Sequence, residues 1–269
     1  LRKLAVALSA AAVAMVGPGI APAQAIVGGT AVPASPGGST LARSMAGLVD
    51  TNSGQVFCGG SLISDTYVLT AASCLRGKAP GTTAVLLGDR DTASGTETPF
   101  AALYPVGRWI IHPSFVPASA RNDIAVVQLG KKATLNVAVA PALMDADTRP
   151  DAHAGQTAVA MGWGTLSYGG RQPTQLQQVQ VGVITASQCN NYYGNVDGNQ
   201  QLCTYARDRG TCQRDTGGPL AQKLADDRTN LVGIISYGQG CASTYPDVFT
   251  RVAAYRSWIA SVAGPLPTQ

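Results

Sequence analysis

The chain has 269 residues, 45% of them hydrophobic and 13% charged, with a formal net charge of +4. Nineteen basic residues less Arg2 and Lys3, which sit in a leader, leave seventeen against fifteen acidic ones, about +2. So small a surplus argues against nucleic acid or heparin as the main partner.

The first segment reads as a secretory signal peptide over 1–25. Arg2 and Lys3 form a positive start, and Leu4 to Val16 is a short apolar run. Gly17, Pro18 and Pro22 then break any helix, and Ala23-Gln24-Ala25 is a small-x-small cleavage site. The apolar run is too short to span a bilayer. The expectation is a secreted, extracellular protein that starts at Ile26 and has no membrane association. Residues 26–269 suffice for a sizeable core in one compact domain or two small subdomains.

Further along, Leu41 to Val49 fits either a strand or a helix. Short apolar runs then recur at Ser61 to Thr70, Thr83 to Leu87, Ile124 to Leu129, Thr157 to Met161, Val179 to Ile184 and Leu231 to Ser236. Each is bounded by Gly, Pro, Asn, Asp or Ser, the pattern of strands separated by turns. Many such strands predict an all-β protein built as barrels or a sandwich. Only the end has helical spacing, with Val252, Tyr255, Ile259 and Val262 in phase and Gly264-Pro265 as the stop.

Six cysteines (Cys58, Cys74, Cys189, Cys203, Cys212 and Cys241) follow the leader, an even count that suits disulfides in a secreted chain. They allow fifteen pairings, among which the residues alone do not choose. No C-x-x-C pair occurs and histidines number two, so no metal site and no cofactor are expected. Asp89, Asp91 and Glu97 are too loosely spaced to define a calcium loop. His112, before a proline, and His153, in the polar stretch Asp151 to Gln156, both read as surface residues.

Several motifs stand in one order. Ile26-Val27-Gly28-Gly29-Thr30 is followed by Cys58-Gly59-Gly60-Ser61-Leu62-Ile63 and by Leu69-Thr70-Ala71-Ala72-Ser73-Cys74. Then come Asn122-Asp123-Ile124-Ala125-Val126-Val127-Gln128-Leu129, Gly162-Trp163-Gly164, Cys212-Gln213-Arg214-Asp215-Thr216-Gly217-Gly218-Pro219-Leu220, Ser236-Tyr237-Gly238 and Tyr245-Pro246-Asp247-Val248-Phe249-Thr250-Arg251-Val252. In register, they resemble the trypsin/chymotrypsin family of serine proteases across 26–269. The resemblance implies two six-stranded antiparallel β-barrels, an active-site cleft between them and a C-terminal α-helix. It also implies the pairs Cys58–Cys74, Cys189–Cys203 and Cys212–Cys241.

The chemistry departs from the family. A serine hydroxyl should attack a carbonyl, a histidine should take its proton, and an aspartate should orient the histidine. Asp123 matches the aspartate. Ser73 stands at the histidine position and Thr216 at the serine, and a serine has no basic nitrogen with which to accept a proton near neutral pH. Arg214 replaces the glycine whose N–H, with that of Thr216, forms the oxyanion hole. Asp215 matches the carboxylate that pairs with the free amine of Ile26. The specificity pocket is drawn by Gly210 at its floor and by Ser236, Gly238 and Asp247 on its walls. This resembles the broad-specificity crab-collagenase branch, in which a wall carboxylate favours Arg or Lys. Pairing of Asp247 with Arg251 or a backbone N–H is the structural alternative.

The expectation is therefore a secreted, monomeric serine protease homologue. It is catalytically inactive or severely impaired and binds a peptide or protein, such as a protease inhibitor, in the old cleft. The alternatives are an endopeptidase of mixed trypsin- and chymotrypsin-like specificity whose catalytic residues were altered, or a residual hydrolase using Thr216.

Overall fold

The computed structural model describes residues 26–33, 39–94 and 99–266. The leader and Glu97 lie outside the described residues. The first strands are β1 (Thr30–Ala31), β2 (Met45–Asp50), β3 (Val56–Leu62) and β4 (Tyr67–Thr70), and α1 (Ala72–Leu75) follows directly. Next come β5 (Thr83–Leu87), β6 (Ala102–Ile111), β7 (Ala125–Leu129), β8 (Leu143–Met144), β9 (Thr157–Gly162) and β10 (Gln177–Ile184). The chain continues with α2 (Ala186–Tyr193), β11 (Gln201–Tyr205), β12 (Pro219–Lys223), β13 (Thr229–Tyr237) and β14 (Asp247–Arg251). It ends in a 3-10 turn at Val252–Tyr255 and α3 (Arg256–Ala263).

These strands close two six-stranded antiparallel barrels. One runs β2-β3-β4-β7-β6-β5, and the other β10-β11-β14-β13-β12-β9, with β9 pairing back to β10. Alternation drives the second closure. In β10, Val179, Val181 and Val183 face the barrel interior while Gln178, Gln180 and Gly182 face outward, the period of two that a one-sided strand requires. By contrast β5 and β7 are apolar almost throughout, because neighbours cover both their faces.

Leu41 to Val49 proves to be both of its alternatives in succession, a 3-10 turn at Leu41–Ser44 and then β2. The terminal helix begins later than its periodicity suggests, because Val252–Tyr255 is wound more tightly as a 3-10 turn. α2 starts in a reciprocal cap, with the Thr185 hydroxyl and the Gln188 side chain satisfying each other's backbone N–H groups. Among the described residues no helix is long and apolar enough to cross a membrane.

Three packing layers fix the cleft. A shared apolar layer joins the barrels, with Met45, Val56 and Leu86 from the first packed against Met161, Trp163 and Ala221 from the second. α3 follows the last strand of the second barrel yet buries Ile259 and Trp258 on the first-barrel core, strapping the two halves together. The third layer is backbone on backbone: a Cβ on Gly59 would lie 2.6 Å from the Gly218 Cα. Gly59 N–H also donates to the Thr216 carbonyl at 2.8 Å. A Cβ on Gly217 would likewise lie 2.5 Å from the Gly59 carbonyl oxygen, so glycine at 59 and 217 lets β3 approach the Thr216 loop so closely.

The disulfides Cys58–Cys74, Cys189–Cys203 and Cys212–Cys241 all form, as the resemblance implied. In a chain-entropy account each contributes about 3 kcal/mol by constraining the unfolded chain.

Candidate active site

Asp123, in the turn before β7, is 1% exposed. Its carboxylate is a collecting point. Ser73 donates to it twice, from the backbone N–H to Oδ1 at 2.7 Å and from the hydroxyl to Oδ2 at 2.9 Å. The Ser236 hydroxyl donates to Oδ2 at 2.6 Å. The Thr250 hydroxyl holds the Asp123 carbonyl at 2.7 Å. Burial raises the Asp123 pKa, and these donors oppose the shift. The site thus holds an aspartate surrounded by hydroxyl and amide donors, with no titratable base among its partners.

Ser73 itself lies exposed on α1, which the Cys58–Cys74 bridge ties to β3. The neighbouring Cys74 Sγ touches the Thr216 carbonyl oxygen at 3.3 Å. A disulfide sulfur has no proton to donate, so this is a contact and not a hydrogen bond. It brings the Ser73 and Thr216 positions to one place from opposite barrels. Neither the Arg214 nor the Thr216 amide is engaged by another described residue, which leaves two N–H groups of one loop available to an incoming oxygen.

Arg214 sits at φ +73°, in the left-handed region that suits glycine. The loop therefore keeps the backbone shape of a glycine position and carries a charged side chain there. That side chain runs along the cleft surface, where Nη1 donates to Gln55 Oε1 at 3.3 Å and to Gln172 Oε1.

Next to Thr216 is a cavity of about 240 Å³, lined by Thr216, Ser236, Tyr237, Gly238, Gln213 and Tyr168 among others. Asp247, 8% exposed, lies against two residues of that lining, Thr211 and Gly238. Its Oδ2 accepts the Thr211 N–H at 2.7 Å. A Cβ on Gly210 would lie 2.7 Å from Oδ2, and one on Gly238 would lie 2.6 Å from Oδ1. The two glycines make the space that this carboxylate fills. Arg251 does not pair with it: its guanidinium is spent on the carbonyls of Gly198, Asp147 and Arg149. The backbone N–H part of the structural alternative is realised, and the arginine part is not. No described salt bridge neutralises Asp247, and burial pushes its pKa up to about 6.

Asp215 is wholly buried and accepts N–H bonds from Gly164 at 2.8 Å and Cys212 at 2.9 Å. Burial raises its pKa to about 7 against those bonds. Ile26 is also wholly buried, within the core of the second barrel, and Val27 bridges to Gly210, the glycine beside Asp247.

His153 corrects an expectation. It is no surface residue but 6% exposed, with Nε2 2.9 Å from the buried Asp145 carboxylate, which raises its pKa. Its polar sequence surroundings hid a partner eight positions away. The ring of His112 is half-buried against Tyr255 and Trp258, and that burial lowers its pKa. Neither histidine is a partner of Asp123, Ser73 or Thr216. The glutamines around Arg214 and the Thr250 support of Asp123 escaped sequence reasoning, because no local pattern marks a partner 127 or 159 residues away.

The barrels, the Asp123 cluster and the adjoining pocket define the class of trypsin-like serine protease folds. The family model described as Trypsin matches residues 26–259, and the chain belongs to that family. Trypsin I-P1 of Gallus gallus is 38% identical over 232 residues, 83% of this chain and 86% of that protein. Venom serine protease 34 of Apis mellifera is 35% identical over 222 residues, 81% of this chain but 54% of that protein. Serine protease filzig of Drosophila melanogaster is 34% identical over 215 residues, 77% of this chain and 12% of that protein. The chain thus spans about half of the bee protein and a small part of filzig.

Proposed function

We propose that this chain is a secreted, non-proteolytic member of the trypsin family that binds a peptide or protein segment in its cleft. The observation that carries the reading is the Ser73 hydroxyl donating to Asp123 at 2.9 Å, where the family mechanism needs a proton acceptor. With no base among the described partners of Asp123, Ser73 or Thr216, the Thr216 hydroxyl keeps its proton, and its extra methyl restricts the rotamer that attack requires. In the unrelated protease subtilisin, loss of the nucleophile or the base alone costs about 10⁶ in turnover.

Binding needs neither group. The Asp247 carboxylate, behind Thr211 and Gly238 of the pocket lining, would offer a charge partner for an arginyl or lysyl side chain. The free amides of Arg214 and Thr216 offer donors to a peptide carbonyl. The burial of Ile26 and the bridge from Val27 to Gly210 support a start at Ile26, whose amine would then be the partner of Asp215. These retained parts also support a second reading, an endopeptidase of mixed specificity in which two catalytic residues were replaced.

Calorimetric titration with benzamidine, beside hydrolysis assays on arginyl, lysyl, leucyl and phenylalanyl peptides, tests the proposal. Benzamidine is expected to bind and Asp247→Asn to abolish that binding, with no turnover above a buffer blank. Turnover at the rate of a working trypsin would overturn it.

A further inference from the structure

We propose that the polar cavity that shares Gln213 with the Thr216 pocket is a subsite for an acidic side chain of the bound peptide, held by Arg214 and Arg171. The proposal rests on the reading of the cleft as a peptide-binding site.

The cavity has a volume of about 660 Å³, and its walls include Arg171, Arg214, Gln55, Gln172 and Gln213. Gln213 also lines the pocket that contains Thr216, so the two spaces adjoin. No carboxylate lines the cavity among the described residues; Asp91 borders a neighbouring cavity that Arg171 also touches. Arg171 and Arg214 have no described salt bridge, as is true of most of the described arginines; Arg149 and Arg228 are the ones paired with aspartates.

How Arg214 is held matters most. Its guanidinium is fixed by the side-chain carbonyls of Gln55 and Gln172, which are neutral acceptors. They orient the charge without cancelling it. Gln172 is itself anchored by its amide to the Val56 carbonyl at 2.8 Å, and Gln213 by accepting the Gly169 N–H at 2.7 Å. The Arg214, Gln172 and Gln213 walls are therefore held before any ligand arrives, and less side-chain freedom is lost there on binding. The backbone of Arg214 also bears the strain of its left-handed conformation. A planar guanidinium with spare N–H groups matches a carboxylate in two-pronged geometry better than any other acceptor a peptide offers.

A bound segment would place a basic side chain on Asp247 and an acidic one on Arg214 and Arg171, with the intervening backbone over Thr216. Fluorescence anisotropy of the purified protein tests this with three dye-labelled peptides. One carries an arginine followed by two glutamates, one the same glutamates before the arginine, and one glutamines in their place. At about 0.05 M salt one of the glutamate peptides is expected to bind about tenfold tighter than the glutamine peptide, and at about 0.5 M salt the gap should shrink. Arg171→Gln and Arg214→Gly should each narrow the gap, and Arg171→Gln should leave benzamidine affinity unchanged. Equal affinity for all three peptides, with benzamidine still bound, would refute the acidic subsite and leave the cleft reading intact. Failure to bind benzamidine or any peptide would overturn both.

Discussion

Asp247→Asn separates what the pocket costs the fold from what it does for a ligand. In the free protein this carboxyl is buried, with one firm N–H bond and no cationic partner among the described residues, and burial pushes its pKa up to about 6 from an ordinary 3.8. Below pH 3.8 both folded and unfolded chains hold the proton, so the group has no effect on stability. Between about pH 4 and 6 the unfolded chain releases its proton and the folded chain does not, so stability falls as pH rises. At 1.36 kcal/mol per pH unit the loss comes to about 3 kcal/mol, complete above pH 6. Asparagine keeps an acceptor for the Thr211 N–H and never ionises. The variant should match the parent in urea denaturation near pH 4 and exceed it by about 3 kcal/mol at pH 7.5. The parent alone should bind benzamidine, with affinity that is level above pH 7 and weakens about tenfold per pH unit below 6. A variant less stable than the parent at pH 7.5 would refute the reasoning, because it would mean that the carboxylate already has a cationic partner.

Three further outcomes follow from the packing. Gly59→Ala forces a methyl to 2.6 Å from the Gly218 Cα, backbone against backbone. It should cost about 2–3 kcal/mol in denaturant midpoint analysis and weaken benzamidine binding, because the Thr216 loop must move. Replacing Cys212 and Cys241 by serine opens a link across 29 residues and should lower stability by about 3–4 kcal/mol while making the pocket loop sensitive to proteolysis. His153→Ala leaves the buried Asp145 carboxylate with only the Asn230 amide among its described side-chain partners and should cost about 3 kcal/mol while benzamidine affinity stays the same. The parent's His153 has a raised pKa, so its contribution should be full below pH 6.5 and fade as pH rises through the folded-state value.

What could be read from the sequence follows the range of the forces involved. Thr83–Leu87 was legible to the residue, since an apolar run between turn formers is a local signal. Leu41 to Val49 was not, because its first half winds and its second half pairs, and both use apolar residues. Motif order placed Asp123, Ser73 and Thr216 in one cleft, and the structure sets the Ser73 and Thr216 positions beside each other through the Cys74 contact. It also shows that Gly210 and Gly238 are small for the sake of Asp247, which only their convergence on one carboxylate reveals. His153 was misread because burial depends on what folds over a loop and not on the loop's own polarity. The neutral cradle of Arg214 is likewise a long-range product, as Gln55 and Gln172 come from distant turns.

The central proposal is that Ser73 and Thr216, standing where the family mechanism needs a base and a serine nucleophile, are what keep this chain from cleaving peptides. Peptide hydrolysis by the native chain beside the Ser73→His, Thr216→Ser double variant tests it most directly, with arginyl, lysyl, leucyl and phenylalanyl substrates. The account predicts no turnover by the native chain and clear turnover by the double variant, highest on basic residues because of Asp247. Comparable turnover by both would contradict it, since a base other than residue 73 would then be at work.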